Sequence, residues 1–134
     1  LAYQDFRKKY LDSGLLPSPK TAKPRVEDVC RIVSKDGGIL VLPHPGHEYG
    51  DSAQTLSGNL KGFRRLLASL KEHGLAGVEL YYYRGGETEA INALVAREAE
   101  ALGLFCTYGS DCHGPSSGKD TLDKFWGDLP AFPS

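Results

Sequence analysis

The chain has 134 residues, enough for one small domain with a real core. Its formal net charge of -1 gives no basic footprint for a nucleic-acid duplex and no electrostatic pull toward a membrane surface. No apolar run nears the roughly 18 residues of a membrane span, and three widely spaced cysteines without a CxxC pair predict reduced thiols and a cytoplasmic location.

Residues 1 to 13 read as a helix end, with Phe6, Tyr10 and Leu11 on one side and Gly14 as its stop. A Pro/Ser/Lys loop runs from Leu15 to Lys23. Pro24 suits the first position of a helix, and Val26, Val29, Cys30 and Val33 follow at helical spacing as far as Asp36-Gly37-Gly38. Ile39 to Leu42 is a continuous apolar strand, which predicts cover on both faces. Gly46 to Gly58 is polar and reads as a loop. A helix carrying Leu60, Phe63, Leu66, Leu67 and Leu70 stops at His73-Gly74. Gly77 to Tyr83 is the second strand. Glu87 to Leu102 is the next helix, facing inward with Ile91, Leu94, Val95, Ala99 and Leu102, and Gly103 caps it. Leu104 to Tyr108 is the third strand. A Gly/Pro/Ser loop, a short segment around Phe125-Trp126 and a Pro-rich end close the chain.

Three buried strands, each preceded by a helix, predict a parallel α/β sheet or part of a β/α barrel. Sites in such folds gather beyond the carboxyl ends of the strands. His44, the Tyr81-Tyr82-Tyr83-Arg84 segment, and Asp111 with His113 all fall there. Asp111 and His113 flank Cys112, so strand alternation predicts that they point the same way while Cys112 points into the core. A carboxylate and an imidazole together are half of a metal site. From the residues alone, a ligand pair and a turn cap are equally open for Asp111 and His113. For His44 a packed strand-end histidine leads.

Three stretches carry a family resemblance: Gly37-Gly-Ile-Leu-Val-Leu-Pro-His-Pro-Gly46, Leu75-Ala-Gly-Val-Glu-Leu-Tyr-Tyr-Tyr83, and Gly103 to Gly114 with its Gly-Ser-Asp-Cys-His-Gly close. From about Phe6 onward the chain resembles the C-terminal half of the polymerase and histidinol phosphatase (PHP) superfamily. The order and spacing are most similar to its branch of nucleoside 3',5'-bisphosphate phosphatases and 5'-3' exoribonucleases. The resemblance implies the C-terminal strands and helices of a distorted (β/α)7 barrel over residues 1 to 134. It implies metal ligation by His44, Asp111 and His113, reversing the order of readings for His44. The family's remaining ligands include a His-x-His pair, which is missing among the four histidines here. The chain also starts at Leu1 and contains no methionine. The expectation is an incomplete barrel whose N-terminal half is absent or supplied by another chain.

The implied cofactors are two or three divalent ions in the complete site. Imidazole and carboxylate donors suit Mn, Zn or Fe better than Ca or Mg. Such ions lower the pKa of a bound water and polarise a phosphoryl oxygen, so phosphoester hydrolysis is the reaction class that fits, and the resemblance implies phosphate esters of nucleotides or short nucleic acids, short RNA among them, as its substrates. His47 and Arg84 lie just past strand ends, where a phosphate would arrive. Arg84 suits bidentate phosphate contact, and a solvated loop residue is the competing reading for both. Relatives often place a histidine in the region where this chain has Tyr83-Arg84-Gly85-Gly86. His73 reads as a helix-end cation, and the mid-strand Glu79 as either a structural carboxylate, the default, or one that orients a neighbour. Two other functions fit the same residues: a non-catalytic PHP-like structural or interaction module, and a metal-dependent amidohydrolase.

Overall fold

A computed structural model describes residues 2–11, 13, 24–83 and 85–114. The predicted loop at 15–23, Arg84, and the Phe125-Trp126 segment lie outside the described residues. In chain order the elements are α1 (Ala2–Phe6) running into a π-helical turn (Arg7–Leu11), α2 (Val26–Lys35), β1 (Leu40–Leu42), a 3-10 turn (Pro45–Tyr49), α3 (Ala53–Gly58), α4 (Leu60–Glu72), β2 (Leu75–Tyr81), α5 (Thr88–Ala101) and β3 (Phe105–Gly109). Phe6 and Tyr10 do share a side, with ring centroids 5.0 Å apart.

The three strands form one parallel sheet in the order β1-β2-β3. Val41 pairs with Gly77, which pairs with Phe105, and Tyr81 pairs with Gly109. Right-handed crossovers between successive parallel neighbours place α4 and α5 on the same face. That face carries Leu42, Val78, Leu80, Cys106 and Tyr108, packed with Phe63 and Leu67 of α4 and Ile91, Val95 and Ala99 of α5. Burial there raises the pKa of the Cys106 thiol. The opposite face holds Val41, Gly77, Glu79, Tyr81, Phe105, Thr107 and Gly109, because side chains alternate along each strand.

Several expectations need correction. The strand at Ile39 to Leu42 is not covered on both faces by the described residues. Ile39 is 69% exposed just before β1, and Phe105 is 44% exposed on the second face. The segment 46–58 is not one loop, since it contains the 3-10 turn and α3. Ser52 caps α3 by accepting from the Thr55 N–H at 3.3 Å, and the fully buried Leu56, with Tyr49 and Ala53 packed against the core beside it, anchors a largely polar stretch. Helix α2 starts at Val26 rather than Pro24, with Arg25 extended at its N-cap. Leu66 is exposed on α4. Cys112 is half-buried rather than a core residue.

Glu98 shows how a charged residue enters this core. It is 2% exposed on α5, and Arg64 of α4 and Arg97 both bind its carboxylate. The paired guanidinium groups, Arg64 first, hold its pKa below the usual carboxylate value against the opposing effect of burial.

Candidate functional site

All three strands end at one rim. His44 follows β1 by two residues, Tyr83 follows β2 by two, and Ser110 to His113 follow β3 directly. The backbone at this rim is unusual. Among the described residues three non-glycine positions have positive φ: His44 at 28°, Asp51 at 55° and Asp111 at 48°. Left-handed backbone at such residues costs energy and persists where surrounding structure holds it.

His44 is held by its own amide. Its N–H donates to Glu79 Oε2 at 2.9 Å. Glu79 sits on the second face of β2, and its carboxylate lies over Gly109 of β3, where a Cβ would collide with it. A glycine at 109 is therefore what lets one carboxylate reach from β2 to the end of β1. Glu79 orients a neighbour rather than merely filling the sheet.

The next turn is held from below. The Gly46 N–H donates to the Tyr83 hydroxyl at 2.9 Å, and Gly46 lies so close to the Tyr83 ring that a Cβ would sit 2.6 Å from it. Tyr83 is 1% exposed. Burial pushes its phenol far above the usual tyrosine range, so it stays protonated, with an oxygen free to accept. Helix α5 fixes the segment after β2. Thr88 Oγ1 meets both the N–H and the carbonyl of Tyr83, at 3.1 and 2.9 Å. Asn92 does the same for Tyr81, at 3.1 and 3.0 Å.

On this base stands a group of rings. His44 and His47 have centroids 4.5 Å apart, His47 and Tyr81 4.9 Å, and Tyr81 and Tyr83 4.9 Å with their planes at 82°. His47 Nδ1 is bonded to Asp51 Oδ1. At the third strand end, His113 Nε2 lies 2.9 Å from Asp111 Oδ1. The two meet as the sequence predicts, but by a different route. β3 stops at Gly109, and the left-handed turn at Asp111, not strand alternation, brings the side chains together.

The structure thus puts His44 with His47 and pairs Asp111 with His113, all at one rim. Arg84 lies outside the described residues, and His73 stands elsewhere, 3.8 Å from Glu27 of α2. Sequence reasoning missed Asp51, Thr88 and Asn92. The donor types, imidazole and carboxylate, fit a divalent transition-metal ion. Among the described residues, however, no group of three His, Cys, Asp or Glu side chains is close enough to hold one. These residues therefore offer a ligand pair and a separate imidazole, not a complete metal centre. No helix among the described residues is long and apolar enough to cross a membrane.

No protein-family profile and no solved structure matches the chain. A search of curated proteins finds the phosphoribosyl 1,2-cyclic phosphate 1,2-diphosphodiesterase of Eggerthella lenta, 39% identical over 87 residues. Those residues are 65% of this chain and 28% of that protein, so the chain spans less than a third of the relative's length. What the chain is similar to, over about two thirds of its own length, is a phosphodiester-cleaving enzyme.

Proposed function

We propose that this chain is part of a metal-dependent phosphoesterase of the PHP type, hydrolysing phosphate esters of sugars or nucleotides. The similarity to a named diphosphodiesterase carries the reading, and the meeting of three strand ends at one rim supports it. His44, Asp111 and His113 are the proposed metal ligands. The rest of the ligand set comes from an N-terminal barrel half, in the same polypeptide or another chain. Ions bound there would supply Lewis-acid polarisation of the phosphoryl group. The chain's own residues fix where donors stand: Glu79 holds the His44 backbone, Tyr83 holds the turn that carries His47, and the Asp111 turn sets His113. His47 and Arg84 are the proposed substrate contacts, Arg84 to the phosphate.

Side-by-side assays of phosphodiesters, phosphomonoesters and amides, with and without added Mn or Zn, test this. Metal-stimulated cleavage of a phosphoester supports it. Amide cleavage would favour the amidohydrolase reading, and inactivity of the complete protein toward all three would favour a non-catalytic module.

A further inference from the structure

The first two turns of α4 go against local helix rules. Lys61 stands in the first turn, where the helix dipole favours acidic side chains and α4 has none. Arg65 follows four residues later, so two like charges share one side of the helix and repel. Neither has an ion-pair partner among the described residues. Gly62 weakens the helix relative to alanine, yet a Cβ there would meet nothing within 4 Å outside its own helical backbone. Packing among the described residues explains neither the cations nor the glycine, and conflicts of this kind gather at functional surfaces.

Next to this turn, Glu98 fixes two more cations. Arg64 of α4 and Arg97 of α5 each give the Glu98 carboxylate their Nε and Nη2, and Glu98 lies 2% exposed beneath them. The two arginine side chains are 59% and 57% exposed, and their Nη1 groups have no partner among the described residues. Four cations therefore stand at the surface of α4 and α5, while the one carboxylate in contact with them is buried. Guanidinium groups already held in place lose little freedom when they meet an anion.

We propose that this face docks an acidic segment of a partner protein. Its carboxylates meet Lys61, Arg64, Arg65 and Arg97, and its main chain passes close over Gly62. Leu66, one turn beyond Gly62 on the same side of α4, is 41% exposed and supplies an apolar contact. A single nucleic-acid strand fits this surface less well, because its bases need exposed rings to stack on. Phe63 is the only aromatic residue of α4 and α5, and it is fully buried. The surface lies on the helical side of the sheet, apart from the strand-end rim, and the proposal does not depend on the phosphoesterase reading.

The test measures fluorescence anisotropy with the complete protein and three labelled probes. These are a twelve-residue peptide repeating Glu-Leu-Glu-Gly, the same peptide with Gln for Glu, and a twelve-nucleotide oligothymidylate. The Glu peptide should bind saturably and tightest of the three, and weaken between about 0.05 M and about 0.5 M salt. Lys61→Gln and Arg65→Gln, which leave the Glu98 bonds intact, should each weaken it about 5-fold. Gly62→Leu should weaken it at least about 10-fold by blocking close approach, and should raise Tm because leucine favours the helix. Loss of binding with a gain in Tm separates docking from damage to the fold. Absence of saturable binding, equal binding of the Gln peptide or tighter binding of the oligothymidylate would overturn the proposal. So would unchanged affinity in Gly62→Leu or in both charge variants, or a lower Tm in Gly62→Leu.

Discussion

The backbone N–H of His44 donates to the carboxylate of Glu79, 35 residues away, at 2.9 Å. This bond joins the end of β1 to the middle of β2 and holds a histidine whose φ is 28°. Removing the carboxylate leaves the amide without its partner and the strained residue without its restraint. Glu79→Ala should cost about 1–3 kcal/mol, the usual penalty for orphaning a partly buried donor, measured by urea denaturation. Glu79→Gln, which keeps an acceptor oxygen, should cost less. Equal stability of Glu79→Ala and the wild type would remove Glu79 from the account.

Gly109 tests the same bond from the neighbouring strand. A Cβ there would occupy the space of the Glu79 carboxylate. Gly109→Ala should therefore behave like a loss of Glu79, with lower stability and a perturbed His44 amide in NMR spectra. The double variant Glu79→Ala/Gly109→Ala should cost less than the sum of the two single changes, since both remove one interaction.

Tyr83→Phe removes the acceptor of the buried Gly46 N–H while keeping the ring. The expected loss is about 1–3 kcal/mol, read from denaturation, with faster hydrogen exchange at Gly46 than in the wild type. Unchanged exchange there would mean that the 3-10 turn is held by other contacts.

Glu98 gives a pH signature. Its folded pKa lies below the ordinary 4.5 because Arg64 and Arg97 bind the ionised form. A depressed carboxylate contributes stability that is present above the unfolded pKa and is lost as pH falls through the folded one. The stability gap between wild type and Glu98→Gln should thus be largest at neutral pH and shrink below about 4.5. A gap independent of pH would show that packing, not charge, makes the difference.

Much of this architecture is legible in local patterns. The apolar runs read as strands at 39–42, 77–83 and 104–108 mark β1, β2 and β3, although β2 spans Leu75–Tyr81 and so begins and ends two residues earlier than its run, and helical spacing marks α2, α4 and α5. His44, Asp111 and His113 stand at strand ends because strands of this length must stop near them. What local patterns hide are bonds between distant residues. Gly46 meets Tyr83 across 37 positions and Ala53 meets Glu87 across 34, and neither pairing leaves a mark in either stretch alone. Glu98 reads as a surface residue on a helix until Arg64, 34 positions earlier, is seen to cover it. The missed helix α3 is different, because Ser52 followed by Ala-Gln-Thr is an N-cap signal outweighed here by the polarity of its surroundings. Asp51 also has a local trace: it lies four residues after His47 and directly after Gly50, within the stretch that reads as a polar loop.

The central claim is that Asp111, with its partner His113, serves phosphoester hydrolysis through a bound ion. The most direct measurement compares the complete protein with its Asp111→Asn variant, reading metal content by elemental mass spectrometry and kcat/KM on a cyclic phosphodiester in the same preparations. Asn suits the left-handed backbone at 111, so the fold should survive. The account predicts that the variant loses bound metal and that kcat/KM falls at least about 100-fold. A variant that keeps both its metal and its rate would contradict it.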